Sequence, residues 1–457
     1  MFRLLLVVVL LAPLPLGSNR PLPASALAAA VGLLLCAWGL CRLLPGSRRA
    51  GLPVRPLWPA FGLVGIAAGW AALQAAPFTP AALHHPYWRE AHALLGLAPA
   101  GAISINPAAT WNRLMGLLAY AGIFWLALQA CRSSTRAYQV LTALAAGGLL
   151  YAAYGLFEAL GSETGVVTST FVNRNSYATY AGITLFCGLG LALGELQRRG
   201  RAGASFRDVA LAVLGRLDAR FALGAVACLV AGTALLLTQS RGGFVALCAA
   251  LAAFVWSLRQ SALIAPAASL KAAAVLTLGL TLGLVWLAGE QTLGRFATDA
   301  QAIHRLAYYR ATWEAIADRP LLGTGYGTYP DAFKAYNRPE TGTYFLDKAH
   351  NTYLQVIMEL GWPAAAALYA GLALLVVRSV RSRPSQTRLT PYPAVLAGCS
   401  VLVAVHSLVD FSLEMPANAA TFALLLGAGC AQALRDGGPS ADRRRARSST
   451  PGSENPG

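Results

Sequence analysis

The residues best placed to do chemistry lie in the segment 348–361, KAHNTYLQVIMELG, where a polar stretch gives way to an apolar one. Behind His350, the side chains of Asn351, Gln355 and Glu359 follow at intervals of four residues, so a helix would carry them in one stripe. A carboxylate such as Glu359 is costly inside a bilayer and normally faces a bundle interior or a wet cavity. His350 lies about half a helical turn away from Glu359, so the two are not expected to be direct partners. A capped helix with a polar packing seam explains this pattern as well as a catalytic site does.

Two arginines stand out because they fall on the side of the predicted membrane that is poor in basic residues. Arg241 lies in a tight turn between two apolar runs, and Arg174 lies between Asn173 and Asn175 where another apolar run begins. Either arginine could simply be an interface anchor whose side chain extends to the lipid headgroups. A guanidinium also matches phosphate oxygens bidentately, so the pair could bind an anionic group such as a pyrophosphate.

Two further histidine groups allow competing interpretations. His406 and Asp410 are spaced i and i+4, which predicts a shared helix face and either a buried ion pair or a catalytic pair. His84, His85 and His92 are close in sequence, but no carboxylate–histidine spacing accompanies them. We therefore expect an exposed loop there and no metal site.

The composition indicates a membrane protein. Of 457 residues, 56% are hydrophobic and only 12% are charged, whereas a soluble domain carries about 25% charged residues. The net charge of +17 could suggest a nucleic-acid partner, but the basic residues lie in short loops between apolar runs, so none is predicted. The eight cysteines include no C-x-x-C pair, which predicts neither a disulfide framework nor a zinc site.

Apolar runs predict an all-α, polytopic integral membrane protein of about twelve transmembrane helices, in one domain over residues 1–435. The runs lie at 2–16, 24–44, 57–77, 112–131, 137–160, 174–195, 221–239, 242–258, 270–289, 349–378, 392–411 and 417–434. The tail, 436–457, is rich in Arg, Ser, Pro and Gly and is predicted to be disordered. Residues 201–220 are predicted to form a short amphipathic helix on the cytoplasmic face.

The basic residues predict the orientation of these spans. They gather in segments that all fall on one side of a twelve-span topology, which the positive-inside rule makes the cytoplasmic side, together with both termini. The N-terminal run resembles a secretory signal, but cleavage after Ala26 would cut into the next apolar run, so we expect an uncleaved first helix. The basic segments are 42–55, 132–136, 198–220, 259–271, 378–388 and 443–447.

Two long segments, 78–111 and 290–348, are predicted on the opposite, outer side. The second contains a helical stretch near 300–318 and then the turn-rich run 323–330, GTGYGTYP. Loops of this length are often lids or binding surfaces. The glycine run is not followed by Gly-Lys-Ser/Thr, so it is predicted to form tight turns rather than to bind phosphate.

Four short motifs occur in order around the longer outer loop: Phe171-Val-Asn-Arg-Asn-Ser-Tyr, Ser240-Arg-Gly-Gly, Pro320-Leu-Leu-Gly-Thr-Gly-Tyr-Gly, and His350-Asn followed by Gly361. Together they resemble the O-antigen ligase and O-antigen polymerase family of bacterial membrane glycosyltransferases, from about Thr170 to Asn418. The ligase pattern often has a second glycine three residues after the first, where this chain has Ala364. Ligase and polymerase therefore both stay open.

The resemblance implies a GT-C-like helical fold and a polyprenyl-diphosphate-linked glycan as donor, without a nucleotide sugar, metal or other cofactor. Transfer would occur on the periplasmic face of the bacterial inner membrane, to a glycan, lipid A-core or protein hydroxyl, among membrane lipids. By position, Arg174 and Arg241 would hold the diphosphate, and His350 would act on the acceptor as a base or only orient it. The other predicted substrate-binding residues are Asn173, Asn175, Asn351, Glu359, His406 and Asp410.

A transporter or flippase and a structural envelope protein remain alternatives. Twelve spans are also common in transporters, which carry polar residues near the membrane midplane and have two related halves. In this chain the candidate polar residues gather toward one side of the membrane, and the two halves look dissimilar. That pattern favours an enzyme.

Overall fold

The computed structural model describes residues 1–44, 52, 54–96, 100–199, 218–260, 300–338, 346–381 and 391–436. These residues form α-helices and short 3-10 turns, and no strand occurs among them, which confirms the predicted all-α class. The helices are α1 (Phe2–Leu11), α2 (Pro21–Leu43), α3 (Trp58–Gln74), α4 (Pro86–Leu95), α5 (Pro107–Ala130), α6 (Ser134–Leu160), α7 (Arg174–Arg199), α8 (Ala219–Leu237), α9 (Arg241–Gln260), α10 (Ala300–Asp318), α11 (Tyr329–Ala332), α12 (Thr352–Leu360), α13 (Trp362–Val380), α14 (Tyr392–His406) and α15 (Pro416–Asp436).

Nine of the described helices are long and apolar enough to cross a membrane: α2, α3 with the turn before it, α5 to α9, α13 and α15. Helices α1 and α14 are apolar but shorter. The structure is therefore that of a polytopic membrane protein, as predicted. The predicted span 270–289, the amphipathic helix up to residue 217 and the tail from 437 lie outside the described residues. Residue 436, predicted to begin the tail, is the last residue of α15.

The first predicted span, 2–16, is too long, because α1 ends at Leu11, and two others are also wrong in their bounds. The span 349–378 is interrupted at Gly361, whose φ of +76° ends α12 and lets the chain turn into α13. A left-handed φ of this kind is readily adopted only by glycine. The span 392–411 ends early, because α14 stops at His406. Both changes lie near the candidate site.

The most enclosed helices are α7 and α15, and each pairs closely with a neighbour, α7 with α8 and α15 with α5. Glycines allow the close approach of α7 to α8. A Cβ added at Gly188 would lie 2.8 Å from the carbonyl oxygen of Gly224, and one added at Gly224 would lie 2.7 Å from the carbonyl oxygen of Gly188. Small residues at such crossings are typical of membrane helix pairs, whose association depends on van der Waals packing.

The two long segments predicted on the outer side carry their own structure. The predicted helix near 300–318 is confirmed as α10. The glycine run forms the predicted tight turns, with φ of +70°, +116° and +85° at Gly323, Gly325 and Gly327. These turns join the end of α12, because the N–H groups of Thr324 and Gly325 donate to the carbonyl oxygens of Met358 and Glu359 over 3.0 and 2.9 Å.

One histidine in the segment 78–111 departs from the predicted exposed loop. His85 is buried, and burial together with the charge of Arg319 lowers its pKa to about 4. Arg319 also donates to the carbonyl oxygen of Leu83 over 2.9 Å, which joins this segment to the end of α10. Among the residues that the structure describes, no group of three or more His, Cys, Asp or Glu side chains is arranged to hold a metal ion.

Candidate active site

His350 occupies a strained backbone position that several neighbours hold in place. Its φ is +52°, in the left-handed region that residues other than glycine rarely adopt. The hydroxyl of Tyr309 on α10 donates to the carbonyl oxygen of His350 over 2.9 Å. The next residue, Asn351, caps α12 by accepting from the N–H of Leu354 over 3.1 Å. Strain of this size persists only where the surroundings determine the conformation, and it is often found at functional sites.

The side chain of His350 faces a buried carboxylate. Its Nδ1 lies 3.7 Å from Oδ1 of Asp410, and the Nδ2 of Asn175 donates to the same oxygen over 3.4 Å. Asp410 is fully buried, whereas the His350 side chain is 28% exposed. Because Nδ1 itself is buried, the exposed edge of the ring is the one that faces away from Asp410. At 3.7 Å the two atoms are in contact but too far apart for a hydrogen bond.

Arg174 and Arg241 are the first residues of two long helices, α7 and α9, whose first turns lie side by side. A Cβ added at Gly243 would lie 2.9 Å from the Cβ of Ala178, which shows how closely these turns approach. Asn173 caps α7, because its Oδ1 accepts from the N–H of Asn175 over 2.7 Å. The helix dipole makes each N-terminus favourable for anions, and an arginine adds a full charge to each.

The predicted pair of His406 and Asp410 is wrong. Because α14 ends at His406, Asp410 lies beyond the helix and turns toward His350 instead. His406 makes a hydrogen bond of 2.8 Å between its Nδ1 and the hydroxyl of Thr179 on α7. A Cβ added at Gly242, next to Arg241, would lie 3.2 Å from the His406 ring. His406 therefore joins α7, α9 and α14 behind the two arginines.

A comparison with known families gives a match to part of the chain. Residues 226–369 match a family model described as O-antigen ligase. This segment is therefore similar to the O-antigen ligase family. The predicted resemblance is thus confirmed, and a search of curated proteins finds no significant match. The matched segment contains Arg241 and His350, while Arg174 precedes it and Asp410 follows it.

Similarity to this family points to a ligase- or glycosyltransferase-type enzyme of cell-surface polysaccharide biosynthesis. The apolar helices are those of a multi-pass membrane protein. The family also implies a lipid-linked glycan donor and a glycan or lipid acceptor.

A buried polar group, here called the Glu414 cluster, lies beneath the His350 segment. Its members are Arg113, Lys348, Gln355, Glu359 and Glu414. The Glu414 carboxylate pairs with Arg113 on α5 and with the Nζ of Lys348 over 3.2 Å. Burial opposes its ionisation, but these two cations hold the pKa of Glu414 below its usual value. Glu414 therefore anchors a residue only two positions before His350.

Glu359 lies in this cluster and not beside His350. Its Oε1 accepts from the Nε2 of Gln355 over 3.3 Å and from the N–H of Tyr329 over 3.2 Å. Glu359 is fully buried, and burial together with the nearby charge of Glu414 raises its pKa. Gln355 and Glu359 share a helix face as predicted, but here they form the polar packing seam rather than a binding surface.

Sequence reasoning missed three residues that the structure brings to the candidate site: Arg113, Glu414 and Tyr309. Arg113 offered a usable signal, since it lies near the start of an apolar span, as Arg174 and Arg241 do. Glu414 and Tyr309 offered none, because their partners are 66 and 41 residues away in the chain.

Proposed function

We propose that the chain transfers a glycan from a polyprenyl-diphosphate carrier to an acceptor hydroxyl on the periplasmic face of the bacterial inner membrane. The observation that carries the proposal is the arrangement around Asp410. That carboxylate contacts His350 on one side and Asn175, in the first turn of α7, on the other. A histidine with a carboxylate behind it thus lies beside two helix N-termini that begin with Arg174 and Arg241.

In the proposed reaction, Arg174 and Arg241 bind the diphosphate at the N-termini of α7 and α9. The bond between the anomeric carbon and the phosphate oxygen breaks, and the oxygen keeps the electron pair. The two guanidinium groups neutralise the charge that develops on this leaving group. Because these groups are already in place, little reorganisation is needed as the charge forms.

His350 acts on the other reactant. Its exposed edge takes the proton of the acceptor hydroxyl while the hydroxyl oxygen forms the new bond to the anomeric carbon. Asp410 orients the ring and stabilises the imidazolium that results, since a carboxylate behind a histidine does both. The proton then passes from His350 to water. Asn173 and Asn351 support the site as helix caps, and His406 supports it by packing.

The proposed orientation places this site outside the cytoplasm, with both termini inside. The charge distribution supports it, because α2, α9, α13 and α15 each end with an arginine in the last turn, at Arg42, Arg259, Arg378 and Arg435. Lys and Arg at these ends favour the cytoplasmic side. The donor would then be used on the opposite face, where α7 and α9 begin.

The test is reconstitution of the purified protein in liposomes with a polyprenyl-diphosphate-linked oligosaccharide and candidate acceptors. We expect release of polyprenyl diphosphate with transfer of the glycan, and loss of both in the His350→Ala variant while the variant still binds the donor. Product length separates ligation of one chain from polymerisation, and the acceptor that is modified separates lipid, glycan and protein targets. Full activity of His350→Ala, or glycan movement across the bilayer without release of the carrier, would refute the proposal.

A further inference from the structure

An open cavity of about 390 Å³ lies on the side of the His350 segment that faces α10. It is lined by Tyr309, Arg310, Trp313 and Glu314 of α10 and by Leu354 of α12. The four α10 residues occupy positions i, i+1, i+4 and i+5, which form one continuous patch on a helix. The volume is within the range of small-ligand sites in proteins.

Two of the residues that line the cavity lie next to His350. The Tyr309 hydroxyl donates to the carbonyl oxygen of His350, and Leu354 lies one helical turn further along the chain. The His350 ring contacts Asp410 and Phe411. None of the lining residues belongs to α7 or α9, so a ligand in the cavity would not occupy the position proposed for the donor diphosphate.

The lining suits a sugar ring. Trp313 is 53% exposed, and an indole offers an apolar face against which the C–H face of a sugar can pack. Arg310 supplies hydrogen-bond donors, and Glu314 supplies acceptors for hydroxyl groups. The Glu314 carboxylate is oriented by a contact of 2.6 Å between its Oε2 and a guanidinium nitrogen of Arg338. Aromatic surface with a few polar groups is the usual composition of a specific ligand site.

The position of the cavity relative to the bilayer restricts the kind of ligand. The ring of Trp313 packs edge-on against that of Trp362, with centroids 6.1 Å apart. Trp362 is the first residue of the membrane span α13, and tryptophans at span ends mark the membrane–water interface. The cavity thus lies at the membrane surface, where the sugars of a membrane-anchored acceptor are presented.

We propose that this cavity binds the terminal sugar of the acceptor glycan and holds its hydroxyl beside His350. The proposal rests on the proposed transfer reaction only in identifying the bound glycan as the acceptor. The binding itself can be tested without any transfer. The competing occupant is an anionic phospholipid headgroup, for which Arg310 would provide the contact and Trp313 would be an interface anchor.

Binding is measured on His350→Ala protein, which cannot turn over, in phosphatidylcholine nanodiscs. Saturation-transfer NMR is recorded with a panel of soluble oligosaccharides that end in hexose, heptose or N-acetylhexosamine. We expect at least one to bind, and its affinity to fall about tenfold in Trp313→Ala, as loss of an aromatic contact implies. Trp313→Phe should keep most of the affinity. The matched control is Trp58→Ala on α3, where an indole of similar exposure, 63%, is removed far from the cavity.

Three results would overturn the subsite. The first is that no member of the panel binds, and the second is that Trp313→Ala binds as tightly as the parent does. The third is that phosphatidylglycerol displaces the oligosaccharide and Arg310→Gln alone abolishes binding, which would identify a headgroup site. In the active protein, Trp313→Ala should raise the acceptor KM with little change in kcat. Because the binding assay involves no transfer, failure of the subsite and failure of the transfer reaction are observed separately.

Discussion

Replacing Glu414 by glutamine tests whether the Glu414 cluster holds the His350 segment in its strained conformation. Glu414 pairs with Arg113 and Lys348, and it accepts from the Nε2 of Gln355 over 3.1 Å. Glutamine keeps the size of the side chain but cannot balance two cations, and its amide NH₂ would face one of them. Lys348 should then detach, and with it the segment that leads into His350.

The expected magnitude follows from burial. The Glu414 side chain is 2% exposed, and those of Arg113 and Lys348 are 19% and 18% exposed. Removing one partner of a buried ion pair costs about 3–5 kcal/mol, because the remaining charge is left uncompensated. Arg113 and Lys348 keep some access to water, so we expect Glu414→Gln to lower the free energy of unfolding by about 3 kcal/mol. The lower end of the range applies because water around the two cations partly compensates their charge.

The assay is thermal unfolding in detergent, together with transfer kinetics in liposomes. We expect a lower midpoint for Glu414→Gln and a lower kcat with a nearly unchanged donor KM, since His350 is displaced while Arg174 and Arg241 are not. The control is Lys334→Gln, which removes an exposed contact of 3.3 Å with Asp331. Exposed pairs contribute no more than about 1 kcal/mol. A Glu414→Gln protein that matches the Lys334→Gln control in both stability and kcat would show that the cluster does not position His350.

Three further predictions concern neighbouring residues. Asp410→Asn should lower kcat about a hundredfold or more, because His350 loses the charge that stabilises its protonated form; transfer rates check this, and wild-type rates would contradict it. Burial raises the pKa of Glu359 in the folded protein above its value in the unfolded chain. The folded state is therefore most stable at low pH, where this carboxyl is neutral in both states, and it loses stability as the pH rises through the raised pKa. Glu359→Gln should therefore melt at a higher temperature than the wild type at pH 8 but not at pH 4.5, and a difference independent of pH would refute the assignment. Gly242→Ala should reduce both stability and transfer, since its Cβ would lie 2.6 Å from the side chain of Val409 and 3.2 Å from the ring of His406. The control is Gly62→Ala, whose Cβ meets nothing within 4 Å and which should change neither quantity in the same assays.

Local sequence signals were sufficient for most of the helices and for choosing the three residues on which the proposed site depends. Most spans could be placed from hydropathy and length, because an apolar run must reach a minimum length to cross a bilayer. Arg174 and Arg241 could be singled out because external arginines break the charge asymmetry that orients the other spans. His350 was recognisable from its position where a polar loop meets an apolar run.

The details that depend on distant contacts could not be predicted. The break at Gly361 is invisible in the sequence, since a glycine within an apolar run is tolerated in a continuous helix. The i, i+4 spacing of His406 and Asp410 predicted a pair only on the assumption that the helix continued past His406. The partner of Asp410 is instead His350, 60 residues earlier in the chain, and only the packing of α12 against the turn after α14 brings them together.

The most direct measurement is a cryo-EM map of the His350→Ala protein with a polyprenyl-diphosphate-linked oligosaccharide. If the account is correct, the diphosphate density contacts the first turns of both α7 and α9, at Arg174 and Arg241, and the attached sugar lies beside residue 350. Diphosphate density at the cytoplasmic ends of these helices, or in contact with neither arginine, would contradict it.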